Sequence, residues 1–379
     1  MDIDIAAGRD SGTPALRGDI PLAFAARLPD RHDFPNDYAV FIGRMRPVTK
    51  AHLANVRHAL MVSAIVVVVI GSAEQAPSPR TPFGEALVET MLRGNFSDSE
   101  NARIVVVAMR DLYNNALWLT GVRSLVRQVT AACGPAGRKP RIALVGHFKD
   151  ARTSDYLKRF RPWGLEKVAN VDGISATPIR DEYWEDPLAA VARHRSDIPE
   201  NVEEILIAFA RTPEYTWLAE EHRAYVKDRR AYDGLRFRPT FHAADPVVIM
   251  DGNVLLIERD LRPGLGLLSL PGSFVNEGEE VMDAMLRGLY EKTKIRVPKR
   301  IAASRTTATH EFSYPWRSER GRIISTAFLV ELDEEELPRV SPGKGAARAL
   351  WMPLADLDPR RMFEDHMRMV ELMVGLMRG

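Results

Sequence analysis

Four short runs of Val and Ile constrain this chain more than any other feature: YAVFIG at 38–43, AIVVVVIGSA at 64–73, RIVVVAM at 103–109 and RIALVGH at 141–147. Each is apolar on successive residues, and each is followed by an amphipathic stretch. A strand apolar on both faces must be covered on both faces, which is the position of a parallel strand between helical layers. The repeat of strand and helix predicts a doubly wound α/β sheet, whose ligands bind beyond the carboxyl ends of the strands.

The texture changes downstream. Residues 186–230 read as helices: PLAAVARHR, VEEILIAFA and a charged stretch, LAEEHRAYVKDRRAYDGL. After 235, two β-runs flank Asp251-Gly252-Asn253, a strong hairpin signal. A helix at 279–293 and a strand at 322–331 follow, giving a second, α+β and mostly antiparallel unit. The expected organisation is a flexible tail at 1–35, an α/β domain at 36–200, a helical connector at 201–235 and a second domain at 236–379.

Composition narrows the function. Lys plus Arg (52) nearly balances Asp plus Glu (51), so no overall field favours nucleic acid, and anion recognition has to be local. One cysteine, Cys133, excludes an intramolecular disulfide framework and a multi-cysteine zinc site. The longest apolar run, 59–70, is too short to span a bilayer. The first residues carry early acids and no apolar core of a secretory signal, so the cytoplasm is expected.

The polar residues after the first strand are informative. Gly43 permits a sharp turn; Arg44 and Arg46 offer planar forks suited to phosphate oxygens. Thr49 and His52 lie three apart at a helix start, where free N–H groups favour an anion. These residues alone also fit a solvated basic helix start.

Gly43-Arg44-Met45-Arg46-Pro47-Val48-Thr49-Lys50-Ala51-His52 resembles the nucleotidyltransferase signature G-R-F-x-P-x-(H/T)-x-G-H, departing at Met45 and Ala51. Ile174-Ser175-Ala176-Thr177-Pro178-Ile179-Arg180 is similar to the family's I-S-x-T-x-x-R. Asn114-Asn115-Ala116-Leu117-Trp118 resembles the element with which nicotinamide mononucleotide (NMN) adenylyltransferases hold the nicotinamide ring. Gly146-His147-Phe148-Lys149-Asp150, followed by SDYLKRFRPW, looks like the bacterial branch fused to a Nudix domain. Gly71-Ser72-Ala73 and Arg80-Thr81-Pro82-Phe83 match as well.

This resemblance, spanning about 37–200, implies NMN plus ATP giving NAD and pyrophosphate. It implies His52, Thr49 and Arg180 at the reacting phosphate. Gly43, Arg44, Arg46, Ser175, Thr177, Gly146, His147, Lys149 and Asp150 would bind ATP, and Asn115 and Trp118 would bind NMN. Magnesium would bridge the phosphates. A homo-oligomer without nucleic-acid or membrane partners is expected.

Residues 270–295, LPGSFVNEGEEVMDAMLRGLYEKTKI, resemble the Nudix box, G-x5-E-x7-R-E-U-x-E-E-x-G-U. With Ser273 at the first glycine position, Glu279, Arg287 and Glu291 fall in register, Glu279 and Glu291 as metal ligands and Arg287 as a structural residue. Gly288, Lys292 and Lys294 replace two glutamates and the last glycine, which predicts poor metal binding and an impaired ADP-ribose pyrophosphatase. Hydrolysis retained on Glu279, Glu280, Asp283 and Glu291 is the competing expectation. Pro315-Trp316-Arg317-Ser318-Glu319-Arg320-Gly321-Arg322 resembles the P-x-R-S-x-R-G-R stretch of the fused type, and ADP-ribose is the ligand this implies.

The rival readings are a sibling nucleotidyltransferase with another acceptor and a non-catalytic sensor of NAD metabolites. The stretch from Gly134 to Lys139 precedes a strand and reads as a surface turn. His194 and His222 read as solvated faces. Met362, Met367, Met369 and Met373 read as core fillers.

Overall fold

The computed structural model describes residues 33–133, 139–147, 155–169 and 173–377. Of the residues singled out above, Lys149, Asp150 and most of the stretch from Gly134 to Lys139 lie outside the described residues, as does the tail up to 32.

The first half runs β1 (Asn36–Gly43), α1 (Lys50–Val62), β2 (Ser63–Gly71), α2 (Glu85–Arg93), α3 (Asp98–Asn101), β3 (Ile104–Met109), α4 (Asn115–Cys133), β4 (Ile142–Gly146), β5 (Gly164–Lys167) and α5 (Ala176–Tyr183). The five strands are parallel in the order β3-β2-β1-β4-β5. Each Val/Ile run supplies both faces. Val66, Val68 and Ile70 of β2 join a core with Leu53, Val56, Val88 and Leu92 of α1 and α2. Ile65, Val67 and Val69 point the other way, to Val122, Leu125 and Val129 of α4. All six β2 residues are fully buried, which is why the run contains no polar residue. The four runs are β1 to β4, of which β1, β2 and β4 are central and β3 is an edge strand. SDYLKRF does not continue as a helix; it makes one 3-10 turn, Asp155–Lys158, and leads into the edge strand β5.

Helices α6 (Pro187–Arg193), α7 (Glu200–Phe209) and α8 (Pro213–Arg230) follow. Asp186 and Thr212 cap α6 and α8 through their side chains, each with proline at the first helical position, the pairing that starts a helix most cleanly. These helices pack on the α1 and α2 face of the sheet.

The second half comprises β6 (Thr240–Met250), β7 (Asn253–Arg259), β8 (Leu268–Ser269), β9 (Ser273–Phe274), α9 (Val281–Thr293), α10 (Lys299–Arg305), β10 (Thr306–Phe312), β11 (Arg322–Glu331), β12 (Ala346–Pro353) and α11 (His366–Met377). The hairpin forms where Asp-Gly-Asn predicts it, with Asp251 and Gly252 both at positive φ (48° and 72°), as a two-residue turn matched to strand twist requires. The sheet order is β10-β11-β6-β7-β12. Its pairs are antiparallel apart from β6 with β11. Helix α9 covers one face through Ala284, Met285 and Leu289. Helix α11 covers the other through Met369, Val370 and Met373, with Met362 in the same core and Met367 against it. Among the described residues no helix is long and apolar enough to cross a membrane.

The two halves meet along a polar seam. Arg110 pairs with Glu371 at 2.9 Å, and the Tyr113 and Tyr314 rings meet edge to face at 5.4 Å. Trp217 Nε1 donates to the Leu265 carbonyl at 3.2 Å, and buried Glu221 accepts from Arg262 at 2.7 Å.

Candidate active site

A cleft of about 1260 Å³ opens at the carboxyl ends of β1, β2, β3 and β4, and the second half forms its opposite wall. Its lining joins Arg44, His52, Arg80, Asp111, Trp118 and Arg180 to Glu319 and Arg320. The position is where a doubly wound sheet presents its ligands.

The turn after β1 is built differently from the sequence expectation. Met45, not Gly43, takes the left-handed conformation (φ 52°), and it is held there by burial at 1% exposure. Arg46 is buried as well. Its Nε donates to the Phe83 carbonyl (2.6 Å), Nη1 to those of Gly71 (2.6 Å) and Arg44 (3.4 Å), and Nη2 to that of Ser72 (3.3 Å). With most of its donors spent on carbonyls, Arg46 ties the ends of β1 and β2 together, and it also lines the cleft.

Thr49 stands at the start of α1. It is buried and N-caps α1 in a capping box with His52. Its backbone N–H donates to His52 Nδ1 at 3.0 Å. A ring nitrogen that accepts carries no proton, so neutral His52 holds its proton on Nε2. Thr49 thus orients the imidazole without lining the cleft, whereas His52 lines it.

Arg44 reaches into the cleft and forms no ion pair among the described residues. Desolvation by the surrounding walls, then repulsion from Arg80, Arg180 and Arg46, brings its pKa down to about 10; Asp111 alone pulls the other way. Burial also lowers Arg180, with Asp181 and Glu319 opposing, and Arg180 donates to the Arg46 carbonyl at 3.3 Å. Arg44, Arg80 and Arg180 thus line one cleft as a set of guanidiniums suited to an anion.

Ser175 occupies the N-cap position of α5 without making a side-chain cap bond, and exposed Thr177 follows it on the cleft wall. Gly146 and His147 line the cleft beside them. Asn114, not Asn115, caps α4, its Oδ1 accepting from the N–H groups of Ala116 and Leu117. Exposed Asn115 begins the helix and lines the cleft. Trp118 packs one side against Tyr156 (5.9 Å) and Phe160 (6.0 Å), both edge to face, and also lines the cleft.

Several cleft residues carried no motif. Asp111 accepts from Ser72 Oγ at 2.7 Å. His222 is buried in the cleft wall, not solvated, and burial lowers its pKa. Outside the cleft lining, His194 is half-buried between Glu182 (3.4 Å) and Asp197 (3.2 Å).

Comparison with known proteins adds to this geometry. Over 189 residues the chain is 33% identical to the nicotinamide/nicotinic acid mononucleotide adenylyltransferase of Acinetobacter baylyi, covering 50% of this chain and 94% of that protein. The chain belongs to the NMN adenylyltransferase family. Residues 240–373 match the NUDIX domain model. Over 131 residues the chain is 32% identical to the ADP-ribose pyrophosphatase of Methanocaldococcus jannaschii, covering 33% of this chain and 72% of that protein. A crystal structure of a bifunctional NMN adenylyltransferase/ADP ribose pyrophosphatase from Francisella tularensis, complexed with AMP and manganese, superposes with a TM-score of 0.79 at 26% identity. It covers 90% of this chain and 99% of that one. The architecture is therefore that of an adenylyltransferase of this family joined to a NUDIX domain.

The NUDIX box keeps its helix but not its acidic cluster. Arg287 holds Glu279 through two bonds (2.7 and 2.9 Å) and lies 3.6 Å from Glu291. Hydrogen bonding from Arg287, then from the Asn276 N–H, lowers the Glu279 pKa to about 2. Lys299 takes Glu280 (2.8 Å) and Asp283 (2.9 Å). Lys292 is half-buried, its charge facing Glu291, Asp245 and Asp260. At Gly288 an added Cβ would lie 2.9 Å from both Cβ and Oγ of Ser273. The departures at the first glycine and the glutamate after the arginine are thus one packed contact.

Proposed function

We propose that the first half transfers the adenylyl group of ATP, taken as its magnesium complex, to NMN, releasing NAD and pyrophosphate. The observation that carries this reading is Arg44, a cleft guanidinium with arginine neighbours and no ion-pair partner among the described residues, facing the same cleft as an imidazole whose proton is fixed on Nε2.

In this reading the NMN phosphate oxygen attacks the α-phosphorus in line, a bond forms to it, and the bond to the bridging oxygen breaks with pyrophosphate leaving. Arg44 and Arg180, with Arg80 beside them, hold the triphosphate. His52 Nε2–H donates to the transferring phosphate, where negative charge must be met by fixed donors. Trp118 offers a face to the cationic pyridinium. Magnesium would enter with the triphosphate and neutralise part of the charge that develops on it. Ser175, Thr177, Gly146 and His147 line the cleft as nucleotide-side candidates, and Asn115 as an NMN-side one.

The transferase is assigned to 36–200, the connector to 201–235 and the NUDIX domain to 236–379, in a cytoplasmic enzyme. The NUDIX half is read as impaired in hydrolysis. Divalent metals need several oxygen ligands, and here Glu279, Glu280, Asp283 and Glu291 are each engaged by a cationic side chain. No hydrolytic step is assigned to it.

The test is pyrophosphate release and NAD formation by purified protein with ATP, magnesium and NMN, beside His52→Ala. Loss of one such donor lowers kcat by roughly 10²–10³-fold. Absence of product from the unaltered protein, with NMN or its acid form, would overturn the transferase reading and favour the metabolite sensor.

A further inference from the structure

We propose that Glu319, contributed by the NUDIX domain, is a positioning residue of the adenylyl-transfer site, acting through Ser78 to hold Arg80 against the triphosphate; this rests on the transferase reading above.

Residues 78–81 form a tight turn, with Ser78 and Thr81 exchanging backbone bonds (3.4 and 3.0 Å). Ser78 Oγ is its hub. It accepts from the backbone N–H groups of Arg80 and Thr81, both at 3.3 Å, and meets Thr81 Oγ1 at 3.1 Å. A hydroxyl has one proton to give and two lone pairs. Here that proton goes to Glu319 Oε1 at 2.6 Å, across 241 positions of sequence. The direction of the Ser78 O–H, and with it the lone pairs that hold the Arg80 N–H, is therefore set from the other domain.

Three further contacts support the assignment. Arg80 Nη1 donates to the Trp316 carbonyl at 3.4 Å, so its guanidinium is guided by the same NUDIX segment. Glu364 fixes that segment, accepting from Ser318 Oγ (2.7 Å) and the Glu319 N–H (3.3 Å). Glu319 faces Arg80 and Arg180, and burial raises its pKa against the pull of Ser78 and both arginines. Arg80 in turn leads the charged neighbours that act on Arg44. The route from NUDIX domain to phosphate site is thus short: Glu364, the 318–319 segment, Ser78, Arg80.

The experiment measures KM and kcat for ATP, together with the ATP Kd by calorimetry and Tm, on full-length protein carrying Glu319→Ala, Glu319→Gln, Ser78→Ala or Ser78→Ala with Glu319→Ala. The alanine variants should raise the KM and Kd for ATP about five-fold, what one lost hydrogen bond allows, with kcat within about two-fold and the KM for NMN unchanged. Glu319→Gln keeps an acceptor oxygen for Ser78 and should return both constants to the unaltered level or slightly below. The double variant should be no worse than either single one. Unchanged ATP constants in Glu319→Ala, or Glu319→Gln as impaired as Glu319→Ala, would overturn the assignment while NAD formation kept the transferase reading. An unaltered protein that binds no ATP would overturn both.

Discussion

The Thr49 backbone N–H donates to Nδ1 of His52 at 3.0 Å, and that one bond joins helix capping to proton placement. A helix N-terminus exposes N–H groups without intrahelical partners, and here the side chain that satisfies one of them is also the group facing the cleft. Thr49→Val keeps the shape but removes the cap oxygen. It should cost about 1 kcal/mol of stability and lower kcat by less than His52→Ala does, since the imidazole stays but is less firmly oriented. Chemical denaturation and steady-state kinetics read the two effects. A Thr49→Val enzyme as inactive as His52→Ala would show that the hydroxyl itself touches the reacting phosphate.

Trp118 serves two surfaces at once. One side closes the aromatic cluster with Tyr156 and Phe160, and the ring also borders the cleft. Trp118→Ala should raise the KM for NMN about 5- to 30-fold, the worth of a cation–π contact of roughly 1–2 kcal/mol, and leave the KM for ATP unchanged. Trp118→Phe should fall between. Equal changes in both KM values would mean that the loss is one of packing only.

The central strands were legible because their burial is two-sided, so β2 could carry no polar residue between Ile65 and Ile70. Strand β5 was not: GLEK lies at the sheet edge with mostly exposed residues, and an edge strand needs no apolar run. In the site, residue types were legible but not their division of labour. Thr49 and Arg46 sit in the signature, yet both spend their hydrogen bonds on the protein's own backbone. Asp111, His222 and Glu319 reach the cleft through contacts far apart in sequence, and such contacts leave no local pattern to read.

His366 supplies a pH dependence to the NUDIX half. Its Nδ1 accepts from the Leu270 N–H at 3.0 Å, which requires an unprotonated nitrogen. Burial, then repulsion from Arg317, Arg259, Arg320 and Lys292, pushes its pKa well below 6.5. Unfolded chain binds a proton near pH 6.5 that folded chain resists, so stability falls as pH drops below that point and levels off below the folded value. One proton gives a slope of at most about 1.4 kcal/mol per pH unit. Buried Asp365 and Asp245, whose pKa values burial raises, act in the opposite sense above their ordinary carboxylate range. Urea unfolding between pH 7 and pH 5 should show a shallower slope for His366→Asn, which keeps an acceptor and loses the titration. An unchanged slope would assign the dependence to another group.

Gly288 and Ser273 test whether the NUDIX box was altered as a unit. The Ser273 hydroxyl donates to the Ala284 carbonyl at 2.8 Å, which holds its Cβ over the helix where a side chain at 288 would begin. Gly288→Glu alone should therefore destabilise the domain by about 1–3 kcal/mol through overpacking, beyond any gain from replacing a helical glycine. Combining it with Ser273→Gly removes the two nearest obstructing atoms, leaving the Gly272 backbone carbon at 3.1 Å, and should recover part of that loss. Adding Lys292→Glu then supplies a further carboxylate in place of an ammonium, and this triple variant should bind manganese measurably more tightly than the unaltered chain. Calorimetric titration with manganese reads the last step and thermal unfolding the first two. If Gly288→Glu were as stable as the unaltered protein, Ser273 would not be what keeps the glutamate out.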